Sequence, residues 1–103
     1  MLRLVVYQGL INKTLMKILK FNAKWCKECR VMEPIVDELK IKYPECKVVS
    51  YDMDNDEAIF NDNDVLGIPT FIFKDKDDNE ILRLVGLQNK EEFENTIKIN
   101  INK

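Results

Sequence analysis

The spacing of hydrophobic and polar positions divides the first half of the chain into short elements. Leu2 to Tyr7 reads as a strand, followed by a turn at Gln8-Gly9. Leu10 to Met16 is ambiguous and fits one or two helical turns. Lys17 to Ala23, with Ile18, Leu19 and Phe21, predicts a buried strand that runs into Trp25-Cys26. From Cys26 to Lys42, Met32, Ile35, Val36 and Leu39 recur at helical spacing, and Pro44 ends the helix. Pro34 falls inside this pattern and is expected to kink it, because proline gives no N–H to the helical ladder.

In the second half, Lys47 to Met53 predicts a strand through Val48, Val49 and Tyr51. Asn55 or Asp56 can cap a short helix reaching roughly Asn61, and Val65 to Ile68 leads to Pro69. Thr70 to Lys74 is a strongly apolar strand. Asp75 to Asn79 is a turn, and Glu80 to Val85 returns as a hairpin arm that stops at Gly86. A last helix starts near Asn89, with Glu92 placed to complete a capping box and Phe93, Ile97 and Ile101 as its buried stripe. The strand–helix–strand segment implies a parallel pair with a right-handed crossover, and the hairpin adds antiparallel strands. The fold class expected is α/β, a mixed central sheet flanked by helices.

Composition narrows the possibilities. A chain of 103 residues fits one domain, and 46% hydrophobic with 33% charged residues suits a globular protein. No apolar run approaches the ~20 residues of a membrane span, and no secretory leader pattern opens the chain, so a cytoplasmic location is expected. A net charge of −2 without a basic face argues against nucleic acid as a partner. The acidic stretches Asp52 to Asp64 and Asp75 to Glu80 read as solvated turns. The absence of histidine excludes Cys-His and Ser-His pairs and histidine-ligated metals. Three cysteines cannot build a four-thiolate zinc or iron–sulfur site in one chain, and they are too few to staple a secreted mini-domain. No metal and no cofactor is expected.

What remains is the chemistry of Trp25-Cys26-Lys27-Glu28-Cys29. Residues three apart on a helix share a face with Cβ atoms ~5–6 Å apart, close to what a disulfide tolerates. At the helix start, Cys26 meets free N–H groups and the positive end of the dipole, which favour its thiolate. It is expected to be partly exposed, while Cys29, one turn in, is shielded and less acidic. The asymmetry makes Cys26 the nucleophile and Cys29 the resolving thiol. The plainer readings are half a zinc site, for which no second half exists, and two structural cysteines spaced by chance.

The segment Phe21-Asn22-Ala23-Lys24-Trp25-Cys26-Lys27-Glu28-Cys29-Arg30, with Pro34, Asp54, Gly67-Ile68-Pro69-Thr70 and Val85-Gly86, resembles the thioredoxin family from roughly Met16 onward. The resemblance implies one thioredoxin-like domain over 1–103, with residues 1–15 divergent or shortened. It implies that Trp25 belongs to an apolar docking surface, that Ile68–Pro69 is cis and faces the sulfurs, and that Trp25, Ile68, Pro69 and Gly86 bind substrate. Pro69 has no N–H, so the backbone at Ile68 is free to pair with an extended substrate segment. The implied function is reduction of protein disulfides by a monomer, with electrons from a thioredoxin reductase or another dithiol donor. Oxidation and isomerisation belong to the same chemistry. Departures bear on that reading. Lys27-Glu28 replace the family's Gly-Pro, with opposing charges beside Cys26. Lys20 and Ser50 stand where many members carry an aspartate and its lysine partner. Cys29 would then resolve through water, a neutral Lys20 or a substrate group, or else Lys20 snorkels outward and is silent. Cys46 reads as a packing or surface residue. The rival reading is a thioredoxin-fold scaffold or binding subunit with little catalysis.

Overall fold

The computed structural model describes residues 14–101. The strand expected over Leu2 to Tyr7 lies outside them. Four strands and three helices follow in order: β1 (Leu15–Asn22), α1 (Lys27–Lys42), β2 (Lys47–Asp52), α2 (Glu57–Asp62), β3 (Thr70–Asp75), β4 (Glu80–Val85) and α3 (Lys90–Ile101). The sheet order is β2-β1-β3-β4. β1 and β2 run parallel, while β1–β3 and β3–β4 are antiparallel, so the sheet is mixed as its element order implies.

β1 and β3 are central strands with apolar residues on both faces. Ile18, Phe71 and Phe73 pack with Met32, Val36 and Leu39 of α1 and with Phe93 and Ile97 of α3. Leu19, Phe21 and Ile72 point the other way, onto Phe60 and Val65 around α2. Alternation along a strand produces this division. A register shift between Leu15 and Lys17 brings Leu15 onto the α1 face beside Ile18, and lets β1 start earlier than its hydrophobic pattern suggests. The ring edges of Phe71 and Phe73 meet Phe93, tying β3 to α3.

The helix ends show where local sequence acts. α1 runs unbroken through Pro34 and ends before Pro44, with Tyr43 as C-cap. Its C-terminal end is tied to α3 by Tyr43 Oη donating to Glu94 Oε2 at 2.7 Å, and by the Lys42–Glu94 and Lys90–Glu38 ion pairs. Asn89 Oδ1 accepts the N–H groups of Glu91 and Glu92 and caps α3. The capping box is not completed, since Glu92 takes part through its N–H and not its carboxylate. Asp56 precedes α2 but does not cap it with its side chain; its carboxylate accepts the N–H of Asp52 at 2.8 Å. The turn at 75–79 is not simply solvated either. Asp75 is buried, and its Oδ1 accepts the N–H groups of Asp77 and Asn79, each at 2.9 Å. Its short side chain supplies the acceptors that the turn backbone needs. Asn100 joins the α3 stripe as a buried polar residue by donating to the Thr96 carbonyl.

Candidate functional site

β1 delivers the chain to a tight turn in which the Cys26 N–H bonds the Ala23 carbonyl at 3.1 Å. Cys26 is then the N-cap of α1, extended at φ −84° and ψ 115°, and its carbonyl accepts the Arg30 N–H. Its Sγ accepts the Cys29 N–H at 3.2 Å, taking the place that a serine or aspartate oxygen occupies at other caps. Cys26 and Cys29 form a disulfide with Cα atoms 5.2 Å apart. The helix start thus holds the sulfur where N–H groups and the dipole favour negative charge.

Cys26 is not partly exposed: it is 5% accessible, against 8% for Cys29. The cause is local. Its side chain folds back over the first helical turn, and Ala23, Cys26 and Cys29 form a small apolar cluster that Ile68 packs against. Shielding does not distinguish the two cysteines; the helix start does.

The other expected site residues come from three loops. Ile68–Pro69 is cis, and Pro69 is buried. The Pro69 carbonyl accepts the N–H of Gly86 at 2.7 Å, extending the β3–β4 ladder by one bond. Gly86 has φ +90°, a backbone conformation that side chains disfavour, which explains glycine there. Thr70 Oγ1 donates to the Gly67 carbonyl at 2.6 Å and fixes the bend before Pro69. Trp25 is 59% exposed, and its Nε1–H donates to Asp54 Oδ2 at 3.1 Å. Asp54 is held in turn by its own N–H on Asp52 Oδ1. Leu66, Val85 and Leu87 are also exposed and flank the Pro69 and Gly86 positions. Val85 ends β4 as the strand pattern places it, but sequence patterning carries no sign of Leu66 and Leu87, because lone apolar residues in loops have no period.

Behind Cys29 a cleft of about 430 Å³ opens between α1 and the ends of β1 and β2. Lys20 and Ser50 are partners across the β1–β2 ladder, and both line it. Lys20 is half-buried and shares the α1 face of β1 with Ile18, so it does not simply extend into solvent. Lys24 and Arg30 stand at the same cleft, and an Arg30 Nη1–H bonds the Lys24 carbonyl at 3.1 Å. Cys46 is away from all of this, buried in the main core, where burial and then Glu45 push its thiol up to about 11.

Among the described residues no helix is long and apolar enough to cross a membrane. The thioredoxin family model matches residues 5–99, so the similarity begins before Met16, where the motifs alone placed its start. Thioredoxin H5 of Oryza sativa subsp. japonica is 45% identical over 69 residues, 67% of this chain and 50% of that protein. The chain therefore spans half the length of this relative. Thioredoxin of Chlamydia pneumoniae is 35% identical over 80 residues, 78% of each chain. Among solved structures, the oxidised form of mitochondrial thioredoxin 3 from Saccharomyces cerevisiae superimposes with a TM-score of 0.74 at 30% identity. That match covers 93% of this chain and 89% of the yeast protein.

Proposed function

The chain belongs to the thioredoxin family, and from that premise we propose that it is a thiol–disulfide oxidoreductase that reduces protein disulfides, with Cys26 attacking and Cys29 resolving. The observation that carries the reading is the Cys26–Cys29 disulfide at the N-cap of α1. In the reduced state the Cys26 thiolate, stabilised by the N–H groups of the helix start, attacks one sulfur of a substrate disulfide. The other substrate sulfur leaves as a thiolate. Cys29 then attacks the Cys26 sulfur of the mixed disulfide, releasing the second substrate thiolate and closing the Cys26–Cys29 bond. Two electrons pass to the substrate, and a thioredoxin reductase or another dithiol returns them.

Trp25, Ile68, Pro69 and Gly86 would receive the substrate. Support comes from the packing of Ile68 against Cys26 and Cys29 and from exposed apolar residues next to each expected site position: Trp25 before Cys26, Leu66 before Ile68–Pro69, and Val85 and Leu87 on either side of Gly86. The missing N–H of Pro69 leaves the Ile68 backbone available for strand-like pairing. A scaffold role draws on Lys20 and Ser50, which depart from the family pattern.

Insulin reduction driven by dithiothreitol separates the two. Wild type is expected to accelerate precipitation of the insulin B chain, and Cys26→Ser to fall to the uncatalysed rate. Equal, uncatalysed rates for both proteins would leave only the scaffold.

A further inference from the structure

The cleft behind Cys29 has features that docking of a protein substrate at the Trp25 rim does not use. Cys29 lines it and Cys26 does not, so a molecule seated there meets the disulfide from the Cys29 side. Its cations Lys20, Lys24 and Arg30 have no carboxylate within ion-pairing distance among the described residues. Its carboxylates are partly committed: Asp52 accepts the Asp54 N–H and Asp56 accepts the Asp52 N–H, while Glu33 on α1 faces the cleft without such a bond. A volume of about 430 Å³ lies within the range of small-molecule sites. A folded protein does not enter such a space.

We infer that this cleft binds a short peptide thiol carrying carboxylates and an ammonium group, which serves as an electron donor to the Cys26–Cys29 disulfide. The inference rests on the oxidoreductase reading above. Unpaired cations select carboxylates, Glu33 accepts the ammonium, and the only chemistry open to Cys29 there is thiol–disulfide exchange. The bound thiolate attacks the Cys29 sulfur, the S–S bond breaks, and its electron pair leaves on Cys26. Cys26 is the better leaving group, because the N–H of Cys29 and the helix start stabilise its thiolate. A second peptide thiol then attacks the peptide sulfur of the mixed disulfide, releasing a peptide disulfide and the Cys29 thiolate. Two peptide thiols lose two electrons and two protons, and the protein gains both as Cys26 and Cys29 thiols.

Glutathione is the probe and 2-mercaptoethanol the neutral control, with rates of reduction of the oxidised protein compared at equal thiolate concentration. Glutathione is expected to be faster and to saturate, and S-methylglutathione to inhibit it without affecting mercaptoethanol. Lys20→Gln/Lys24→Gln should lower the glutathione to mercaptoethanol rate ratio roughly five- to tenfold, the effect of one half-buried and one exposed ion pair. Lys20→Arg/Lys24→Arg should restore it. An effect of Lys20 on the Cys29 sulfur itself moves both rates together and leaves the ratio unchanged. A non-saturating glutathione rate, or a ratio indifferent to the double substitution, overturns the inference. Wild type that passes the insulin assay and shows no glutathione preference defeats the cleft site alone; wild type inert toward insulin defeats the reading beneath it.

Discussion

Cys26 and Cys29 differ by one helical turn, and the roles proposed for them rest on that turn. Cys26 Sγ takes an N–H at the helix start, whereas Cys29 supplies that N–H and sits inside the first turn. A Cys29→Ser variant is therefore expected to accumulate mixed disulfides through Cys26, and Cys26→Ser to accumulate few. Mass spectrometry after incubation with oxidised insulin reads the difference, and equal trapping would contradict the assigned roles. Cys46 shows the opposite environment. Its folded-state thiol lies at about 11, above its ordinary 9.0, because burial disfavours the thiolate. Between these values the unfolded chain loses the Cys46 proton and the folded chain keeps it. Its contribution to stability is thus complete below about pH 9 and lost as pH rises toward about 11. Urea midpoints across that window should fall more steeply for wild type than for Cys46→Ala, and parallel slopes would refute the buried thiol.

At the scale of elements, α2 and its exit illustrate how backbone conformation is fixed locally. The N–H of Val65 bonds the Phe60 carbonyl at 2.9 Å and the N–H of Asp64 bonds the Asn61 carbonyl at 3.2 Å, the two bonds of a Schellman ending. Val65 then packs with Phe60 in the core. Asp64 occupies the left-handed position, at φ 54°, that glycine usually fills. Asp64→Gly removes a left-handed cost of about 1–2 kcal/mol and adds about 0.5–1 kcal/mol of unfolded-chain entropy, so it is expected to stabilise the fold by roughly 0.5–1 kcal/mol. Chemical denaturation measures it, and a loss of stability would mean that the Asp64 side chain contributes more than its backbone costs. Elsewhere the caps divide by residue. Asn89 caps α3 directly, while Asp56 turns away from α2 to brace Asp52 and so shapes the loop that holds Asp54 against Trp25.

Taken whole, the docking surface proposed for substrates draws on chain segments that are distant in sequence. Trp25 follows β1, Leu66 precedes Pro69, and Val85 and Leu87 flank Gly86; the Gly86 N–H to Pro69 carbonyl bond binds the last two loops together. Leu66 is 96% exposed, so its substitution costs the fold little while changing the surface offered to a substrate. Leu66→Glu is expected to raise KM for insulin several-fold, which corresponds to roughly 1 kcal/mol of apolar burial at the edge of a docking surface. Its rate with a small aromatic disulfide and its melting temperature should be unchanged. A proportional loss with both substrates would place Leu66 outside the docking surface.

The sequence alone determined what depends on neighbours along the chain. Helical periods placed α1 and α3, and runs or alternations of apolar residues placed β2 to β4 and most of β1, because burial repeats at a fixed local interval or fills a whole central strand; α2 was expected only from a cap residue, and Asp56 does not cap it. The Cys-x-x-Cys spacing placed two sulfurs on one helix face, and Asn89 and Pro44 marked helix limits through their own backbone chemistry. Tertiary structure decided everything that depends on contacts between segments. The burial of Cys26 under Ile68, the pairing of Trp25 with Asp54 and the burial of Asp75 each need a partner, or a shielding surface, that no local pattern encodes. The same holds for Lys20: its residue type names a charge, but only the packing of α1 across β1 and β2 puts Lys20 and Cys29 on the lining of one cleft.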